Sequence, residues 1–300
     1  MSSPVRILYL GLPLGALHLA RHGFVPAAVA VGHPDAPGMR RLRRRLGPRG
    51  VLLLGRPDLA SPQVQATLRA ARPDALLSFF WPRRVPREVL EGVPLGAFGT
   101  HPSLLPRWRG PDPYFWAIRS GDAVTGVTLH RLSADYDTGA IVDRRVVPVG
   151  EADAWRLARR LDGPALDLLV QCAERLSAGE RLQGTPQDPA LATPAPAPRD
   201  ADLEIDWRRP DAEIVRLVRA AAPHPGAHTR IGHTPVTVLE ARPTGDPPPA
   251  ALQPAEAWQT SGGLAVRAGR GAVHLIRVRT AAGRMVDPAT LLEPDAPDQG

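Results

Sequence analysis

The chain has 300 residues, which is enough for a large hydrophobic core and one or two domains. Its apolar content of 43% is typical of globular proteins, and its single cysteine, Cys172, excludes an internal disulfide framework and favours a reducing cytoplasm. The net charge is +7, and arginine supplies all 37 basic residues, so Schiff-base and Walker-type lysine chemistry are excluded. The sequence shows no secretory signal and no run able to span a membrane, so we expect no membrane partner.

Apolar and amphipathic segments alternate along the first half of the chain. The predicted elements are strands at 6–10, 25–31, 51–54 and 75–79, and helices at 14–22 and 61–71. This alternation predicts an α/β fold, in which a Rossmann-like parallel sheet carries helices on both faces. Ligands of such sheets bind at the carboxyl ends of the strands.

A dense arginine run follows the second predicted strand. Positions 40–49 contain six arginines. The run fits a solvated helix face that ends at Gly47, or an arm that contacts phosphate groups. The sequence leaves both interpretations open, because a genome biased towards arginine would produce the same composition.

The second half contains a long helical pattern, a linker and a β-rich region. Residues 152–178 have helical spacing interrupted at Gly163-Pro164, which fits two helices or one kinked helix. The predicted domains are a catalytic domain at 1–183, a Pro/Ala-rich linker at 184–202, a small β-barrel-like domain at 203–290 and a disordered tail at 291–300.

One histidine and one aspartate stand in loops that suit catalysis. His101 follows an apolar strand and precedes a loop stiffened by prolines, in the segment Gly-Thr-His-Pro-Ser-Leu-Leu-Pro-Arg-Trp-Arg-Gly at 99–110. Asp137 opens an Asp-Thr-Gly turn between β-runs at 126–132 and 141–149. A carboxylate beside an imidazole can orient the ring and raise its basicity, so we predict that His101 and Asp137 pair at one edge of the sheet.

The segment His-Pro-Ser-Leu-Leu-Pro-Arg-Trp-Arg-Gly, followed by Asp137-Thr138-Gly139, resembles the methionyl-tRNA formyltransferase superfamily. Further matches at 116–118, 125–128, 186–188, 205–207 and 219–227 extend the resemblance over both predicted domains. It implies a formyltransferase that moves the formyl group of 10-formyltetrahydrofolate to a primary amine. His101 would then stabilise the oxyanion or shuttle the amine proton, while Asp137 orients it and can accept a proton.

The resemblance also implies binding residues. The donor, 10-formyltetrahydrofolate, would be bound by an aromatic segment and by backbone groups of a turn, which comprise Phe79, Phe80, Trp81, Pro82, Asp135 and Tyr136. Core packing competes for the first two of these rings. The acceptor would lie near Arg109, Asp112 and Tyr114, although Arg109 fits a structural loop clamp equally well.

Two positions depart from the family pattern. Gly99 stands where the family has an asparagine that is thought to hold the formyl oxygen, and the Thr100 hydroxyl or a water molecule would have to replace it. Asp112 would attract an ammonium group and repel phosphate, unless it caps the helix that begins near Tyr114. We therefore expect a small, cationic amine acceptor, such as an amino acid derivative or an amino sugar of specialised metabolism.

Three other functions remain open. The first is methionyl-tRNA formylation in translation initiation, with tRNA as partner; the second is a non-catalytic folate- or ligand-binding relative; the third is a hydrolase that releases formate. No metal site is predicted, because the nine histidines show no ligand spacing with cysteines or acids.

Overall fold

The computed structural model describes residues 5–292. These residues form two compact units, of which the first contains residues up to 110, 125–148 and 159–194. The second contains 111–124, 149–158 and the residues from 195 onward. The predicted organisation divides the chain once, at a linker, whereas the second unit also takes two segments from within 1–183. Most of the tail predicted at 291–300 lies outside the described residues, and Leu291 and Leu292 end a short 3₁₀ helix.

The first sheet has the strand order β3-β2-β1-β4-β5-β6-β7. Its strands are β1 (Ile7–Gly11), β2 (Ala28–Val31), β3 (Leu52–Gly55), β4 (Ala75–Phe79), β5 (Gly96–His101), β6 (Val124–Arg131) and β7 (Ile141–Pro148). Strands β1 to β5 pair in parallel. The chain adds strands first on one side of β1 and then on the other, so β1 and β4 flank a topological switch point, where ligands of such sheets bind.

Strand β6 runs antiparallel to β5, which the alternation of the sequence did not predict. It starts beside the carboxyl end of β5, with Thr128 opposite His101 and His130 opposite Gly99. Residues that pair directly share a face of the sheet, and alternate residues along a strand do so too. His101, Gly99, Thr128 and His130 therefore lie on one face.

The helices within residues 5–292 are α1 (Pro13–Arg21), α2 (Met39–Leu46), α3 (Pro62–Ala70), α4 (Arg87–Glu91), α5 (Pro113–Arg119), α6 (Ala154–Ser177), α7 (Asp200–Leu203) and α8 (Asp211–Ala221). The segment predicted as two helices or one is the single helix α6, with Pro164 inside it. A core on one face of the first sheet includes Leu8, Leu10 and Leu76, packed with Leu68 of α3 and Val89 of α4. No described helix is both apolar and long enough to cross a bilayer.

The second unit contains an antiparallel sheet of order β10-β11-β12-β9-β8, with β13 beside β12. Its strands are β8 (Ala227–Ile231), β9 (Thr234–Pro243), β10 (Ala257–Thr260), β11 (Gly263–Arg267), β12 (Ala272–Thr280) and β13 (Met285–Val286). Helix α8 buries Ile214, Leu217 and Val218, as its helical spacing of apolar residues requires. The predicted fold class, a Rossmann-like domain followed by a β-rich domain, is confirmed.

Candidate active site

The loop after β5 is fixed by hydrogen bonds to its own backbone and to β6. Ser103 donates its hydroxyl to the Arg107 carbonyl at 2.6 Å. Thr128 of β6 donates to the Ser103 carbonyl at 2.7 Å and accepts from the Leu105 amide at 3.1 Å. The loop then turns at Trp108, whose φ of 62° is uncommon for a residue with a side chain. This turn directs the Trp108 carbonyl back towards the end of β5.

His101, the last residue of β5, is held between that carbonyl and Asp137. Its Nε2 lies 2.8 Å from the carbonyl oxygen of Trp108, and its Nδ1 lies 3.4 Å from Oδ1 of Asp137. A carbonyl oxygen can only accept, so Nε2 carries a hydrogen and donates it. Nδ1 is left to face the carboxylate. The structure thus brings together the two side chains that the sequence paired.

Asp137 sits in a strained turn that the surrounding chain fixes. Its φ is 56°, in the left-handed region, and its Oδ2 accepts a hydrogen bond from the Gly110 amide at 3.0 Å. Gly139 follows because a Cβ there would overlap the carbonyl oxygen of Arg131. The side chain of Asp137 is 17% exposed, against 7% for that of His101, so solvent reaches the carboxylate more easily than it reaches the imidazole.

A second histidine, His130, faces the same carboxylate oxygen. Its Nε2 lies 3.8 Å from Oδ1 of Asp137, and its Nδ1 donates to the Arg131 carbonyl at 2.9 Å. Burial lowers the pKa of His130 to about 4, against the opposing effect of the Asp137 charge, so the ring is neutral at pH 7. No local sequence signal marks this residue as functional, because it lies inside a β-run. Thr128, His130 and Leu132 occupy alternate positions and so share one face of the sheet, the face on which His101 meets Asp137.

The position of Gly99 is filled by a neighbour. A Cβ there would lie 2.8 Å from Cδ2 of Leu132 and 3.6 Å from Cβ of Ser78. The predicted compensation by Thr100 does not fit the strand, because adjacent residues point to opposite faces and His101 shares its face with Gly99. On the other face the Thr100 hydroxyl is buried and has no hydrogen-bond partner among residues 5–292.

The residues predicted to bind folate divide into core and surface. Phe79 is buried within β4, whereas Phe80 has a positive φ of 55° and is 38% exposed. The next two residues are Trp81, which packs under the guanidinium of Arg83 at 4.6 Å, and the exposed Pro82.

Arg84 connects this segment to the turn that contains Asp135 and Tyr136. Its Nη2 lies 3.5 Å from Oδ1 of Asp135, and its guanidinium lies 5.4 Å from the ring centre of Tyr136. Tyr136 is 49% exposed. Tyr136 and Arg84 therefore stand at the loop that carries Asp137, Phe80 is exposed after β4, and Phe79 belongs to the core.

Two of the three residues predicted to bind the acceptor, Arg109 and Asp112, make contacts within the protein. Arg109 donates from Nε and Nη2 to the side-chain oxygen of Gln187, at 3.0 and 2.7 Å. Asp112 caps α5 by accepting from the Phe115 amide at 3.3 Å, and burial raises its pKa. Asp112 and the half-buried Tyr114 belong to the second compact unit. Among residues 5–292, no group of three or more His, Cys, Asp or Glu side chains is arranged to hold a metal ion.

Comparison with known proteins identifies the enzyme class. Residues 24–172 match the formyl transferase family, and residues 199–294 match the formyl transferase C-terminal domain. The methionyl-tRNA formyltransferase of Anaeromyxobacter dehalogenans strain 2CP-1 is 37% identical over 287 residues, covering 91% of each chain. That of Pseudomonas entomophila strain L48 is 34% identical over 294 residues, covering 93% of each chain.

Solved structures show the same fold at lower identity. HypX from Aquifex aeolicus, in complex with tetrahydrofolic acid, superimposes with a TM-score of 0.65 at 22% identity, covering 97% of this chain and 47% of HypX. An N-formyltransferase from Helicobacter canadensis, solved with folinic acid and dTDP-3-aminofucose, superimposes with a TM-score of 0.68 at 15% identity. The match covers 90% of this chain and 98% of that chain.

The protein is a formyltransferase, a transferase of one-carbon groups. Within this class, the chain belongs to the methionyl-tRNA formyltransferase superfamily. The resemblance seen in the sequence motifs is confirmed.

Proposed function

We propose that the protein transfers the formyl group of 10-formyltetrahydrofolate to the amino group of methionyl-tRNA. The pairing of His101 with Asp137, at 3.4 Å, is the observation that carries the chemistry. The acceptor is inferred from the relatives named methionyl-tRNA formyltransferase, whose alignments cover 91% and 93% of this chain.

The transfer requires one proton to move from nitrogen to nitrogen. The amine nitrogen attacks the formyl carbon, a C–N bond forms, and negative charge collects on the formyl oxygen. Asp137, the more exposed member of the pair, accepts the proton of the attacking amine, and the adjacent His101 stabilises the charged states. As the intermediate collapses, the bond to N10 of the folate breaks and N10 receives that proton.

Exposed groups on the Asp137 loop and on the segment after β4 suit the formyl donor. Folate has a flat, aromatic pterin and an anionic glutamate tail. Phe80 and Tyr136 offer exposed rings for the first, and Arg84, which lies beside Tyr136, offers a charge for the second. Phe79 is left out of this donor site because it is buried in the core.

The acceptor proposal replaces the earlier expectation of a small cationic amine. That expectation depended on Asp112, whose carboxylate instead caps α5. Helix α2 supports a phosphate-rich acceptor, because it buries Met39, Leu42 and Leu46 and turns its five arginines to solvent. No acidic residue occurs between Asp35 and Asp58, so these charges are not neutralised along the chain.

A panel of acceptors tests the proposal. The purified protein would be incubated with 10-formyltetrahydrofolate and with methionyl-tRNA, free methionine, ornithine or a nucleotide-linked amino sugar, and the formylated product would be identified by mass spectrometry. We expect a formyl group on methionyl-tRNA alone. Transfer only to a small amine, or release of formate without transfer, would refute the assignment.

Asp137→Asn tests the proton step. Asparagine tolerates the left-handed backbone and keeps an acceptor for the Gly110 amide, so the turn should be preserved. The variant cannot take up the amine proton, so kcat should fall by about 10²- to 10⁴-fold at unchanged thermal stability. An active Asp137→Asn enzyme would show that the carboxylate does not move the proton.

A further inference from the structure

The segment predicted as the start of a linker is tied to the active site. We call residues 184–194 the strap. Thr185 exchanges two backbone hydrogen bonds with Ile141, each 2.8 Å long. At its other end, Thr193 accepts from the Trp108 amide with its hydroxyl and from the Arg109 amide with its carbonyl, both at 2.9 Å. The strap therefore runs from the strand after the Asp137 turn to the loop after His101.

Gln187, in the middle of the strap, joins these two segments with one side chain. Its amide nitrogen donates to the carbonyl oxygens of Asp137 and Gly139, at 2.8 and 2.7 Å. Its amide oxygen accepts both hydrogen bonds from Arg109. The opposite orientation of the amide would set its nitrogen against a guanidinium and its oxygen against two carbonyls, so the contacts fix which atom is which.

These bonds close a circuit around the catalytic carboxylate. Gln187 holds Arg109, the next residue Gly110 donates its amide to Oδ2 of Asp137, and the carbonyl of Asp137 returns to Gln187. Asp137 is thus held at its side chain and at its backbone. Its left-handed φ needs such support, because that conformation is unfavourable for a residue other than glycine.

We propose that Gln187 is a positioning residue for formyl transfer, which keeps the Asp137 carboxylate in contact with His101. The inference rests on the proposed role of Asp137 as the proton acceptor. Displacement of a catalytic group by about 1 Å can cost 10²-fold in rate, so a side chain that fixes the Asp137 turn acts on kcat without touching a substrate. Arg109 has the same role from the other side, in place of a direct role in acceptor binding.

We call the hydrogen bonds of Gln187 to Arg109, Asp137 and Gly139 the clamp. Gln187→Glu keeps the contact with Arg109 and removes the contacts with Asp137 and Gly139. Glutamate keeps an acceptor for Arg109 and makes that pair charge-assisted, but it loses both donors and opposes two carbonyl oxygens. Gln183→Glu, at an exposed position four residues earlier, is the matched control. Each variant would be compared with the parent in kcat, in the pH profile of kcat, in thermal midpoint and in backbone hydrogen exchange of residues 135–140.

For Gln187→Glu we expect kcat to fall about 10- to 100-fold, the pH profile to shift and exchange at 135–140 to accelerate, with a thermal midpoint close to that of the parent. Gln183→Glu should match the parent in all four. In an Arg109→Gln background, Gln187→Glu should add little, because the circuit is already open.

Exchange at 135–140 that stays at the parental rate would overturn the clamp, whether or not the protein formylates anything. A Gln187→Glu enzyme that exchanges faster but keeps the parental kcat and pH profile would reduce Gln187 to a structural role. A parent that transfers no formyl group, with accelerated exchange in the variant, would instead refute the proposed function and leave the clamp intact.

Discussion

At the scale of single residues, the site depends on how protons are distributed around one oxygen atom. Oδ1 of Asp137 faces nitrogens of two imidazoles, and backbone carbonyls engage the other nitrogen of each ring. Burial keeps His130 neutral, so its ring brings no positive charge to this carboxylate. His101 lies closer to the same oxygen, at 3.4 Å against 3.8 Å, and is the ring that the proposed proton transfer uses.

The buried, neutral His130 predicts a loss of stability in mild acid. Its pKa is lowered from 6.5 to about 4 by burial, so between these values the unfolded chain binds a proton that the folded chain refuses. The free energy of unfolding should therefore fall as the pH falls through this window, by on the order of 2 kcal/mol between pH 7 and pH 5. Replacement of the ring in His130→Asn should remove most of this dependence, measured by urea unfolding at the two pH values.

His233→Asn is the control, because His233 is exposed in the turn before β9 and its removal should leave the pH dependence unchanged. Equal losses between pH 7 and pH 5 in the parent and in His130→Asn would show that the buried ring is not the source. The control separates this ring from the general effect of removing a histidine.

The contact of His101 with Asp137 could be predicted from the sequence, but its neighbours could not. His101 and Asp137 each stand in a loop with turn-forming residues, which local chemistry reveals. The place of His130 depends on strand register, and register depends on which strands pair and in which direction. The antiparallel pairing of β6 with β5 sets His130 beside the site. Thr100 points to the other face of the sheet because it is adjacent to His101 in β5.

At the scale of elements, composition did not reveal the contacts of the strap, whereas periodicity predicted the helical pattern of α6. Prolines and alanines predicted a linker at 184–202, yet Thr185 and Thr193 pair with backbone groups of the site. A segment rich in proline can be ordered when its few polar groups find partners, and the sequence does not show those partners. In α6 the apolar spacing continues through Gly163-Pro164, and the structure keeps one helix.

Gly163→Ala should stabilise the protein. Gly163 lies inside α6, its φ is not positive, and a Cβ there would meet no atom within 4 Å. Alanine therefore costs nothing in packing and reduces the entropy of the unfolded chain, so the free energy of unfolding should rise by about 0.5–1 kcal/mol in urea titration. A decrease would mean that the glycine accommodates the backbone ahead of Pro164.

Gly179→Ala is the matched test at the end of the same helix. Its Cβ would also meet nothing within 4 Å, but the φ of Gly179 is 86°. The left-handed conformation should cost about 1–2 kcal/mol with a side chain present, so this variant is expected to lose stability. Opposite signs at two equally open positions would identify backbone conformation, and not packing, as the cause.

At the scale of the whole molecule, the order of a Rossmann-like unit followed by a β-rich unit was predictable from the sequence, whereas the membership of two N-terminal segments in the second unit was not. The second unit recruits 111–124 and 149–158, which stand within the predicted catalytic domain. Composition does not change at these segments, so no local signal marks them. Helix α5 lies in the first of them and belongs to the same unit as α8, although about 90 residues separate the two in sequence.

The charge of the molecule bears on its partner through α2. Arg40 and Arg44 are four residues apart, so they lie on the same exposed side of this helix. If the acceptor is tRNA and α2 contacts its phosphates, the double variant Arg40→Gln/Arg44→Gln should bind methionyl-tRNA more weakly. Each lost contact should also reduce the slope of log K against log salt by up to about 0.7–0.9, because fewer counterions are released.

The matched control is Arg69→Gln/Arg87→Gln, which removes the same charge from exposed positions on α3 and α4. Filter binding between 50 and 200 mM salt, about the range in which phosphate contacts dominate, would measure both slopes. If the two double variants weaken binding equally, net charge steers the tRNA and α2 has no special part. If only the α2 variant changes the slope while KM for the folate donor stays constant, the arginine run contacts the acceptor and the donor binds elsewhere.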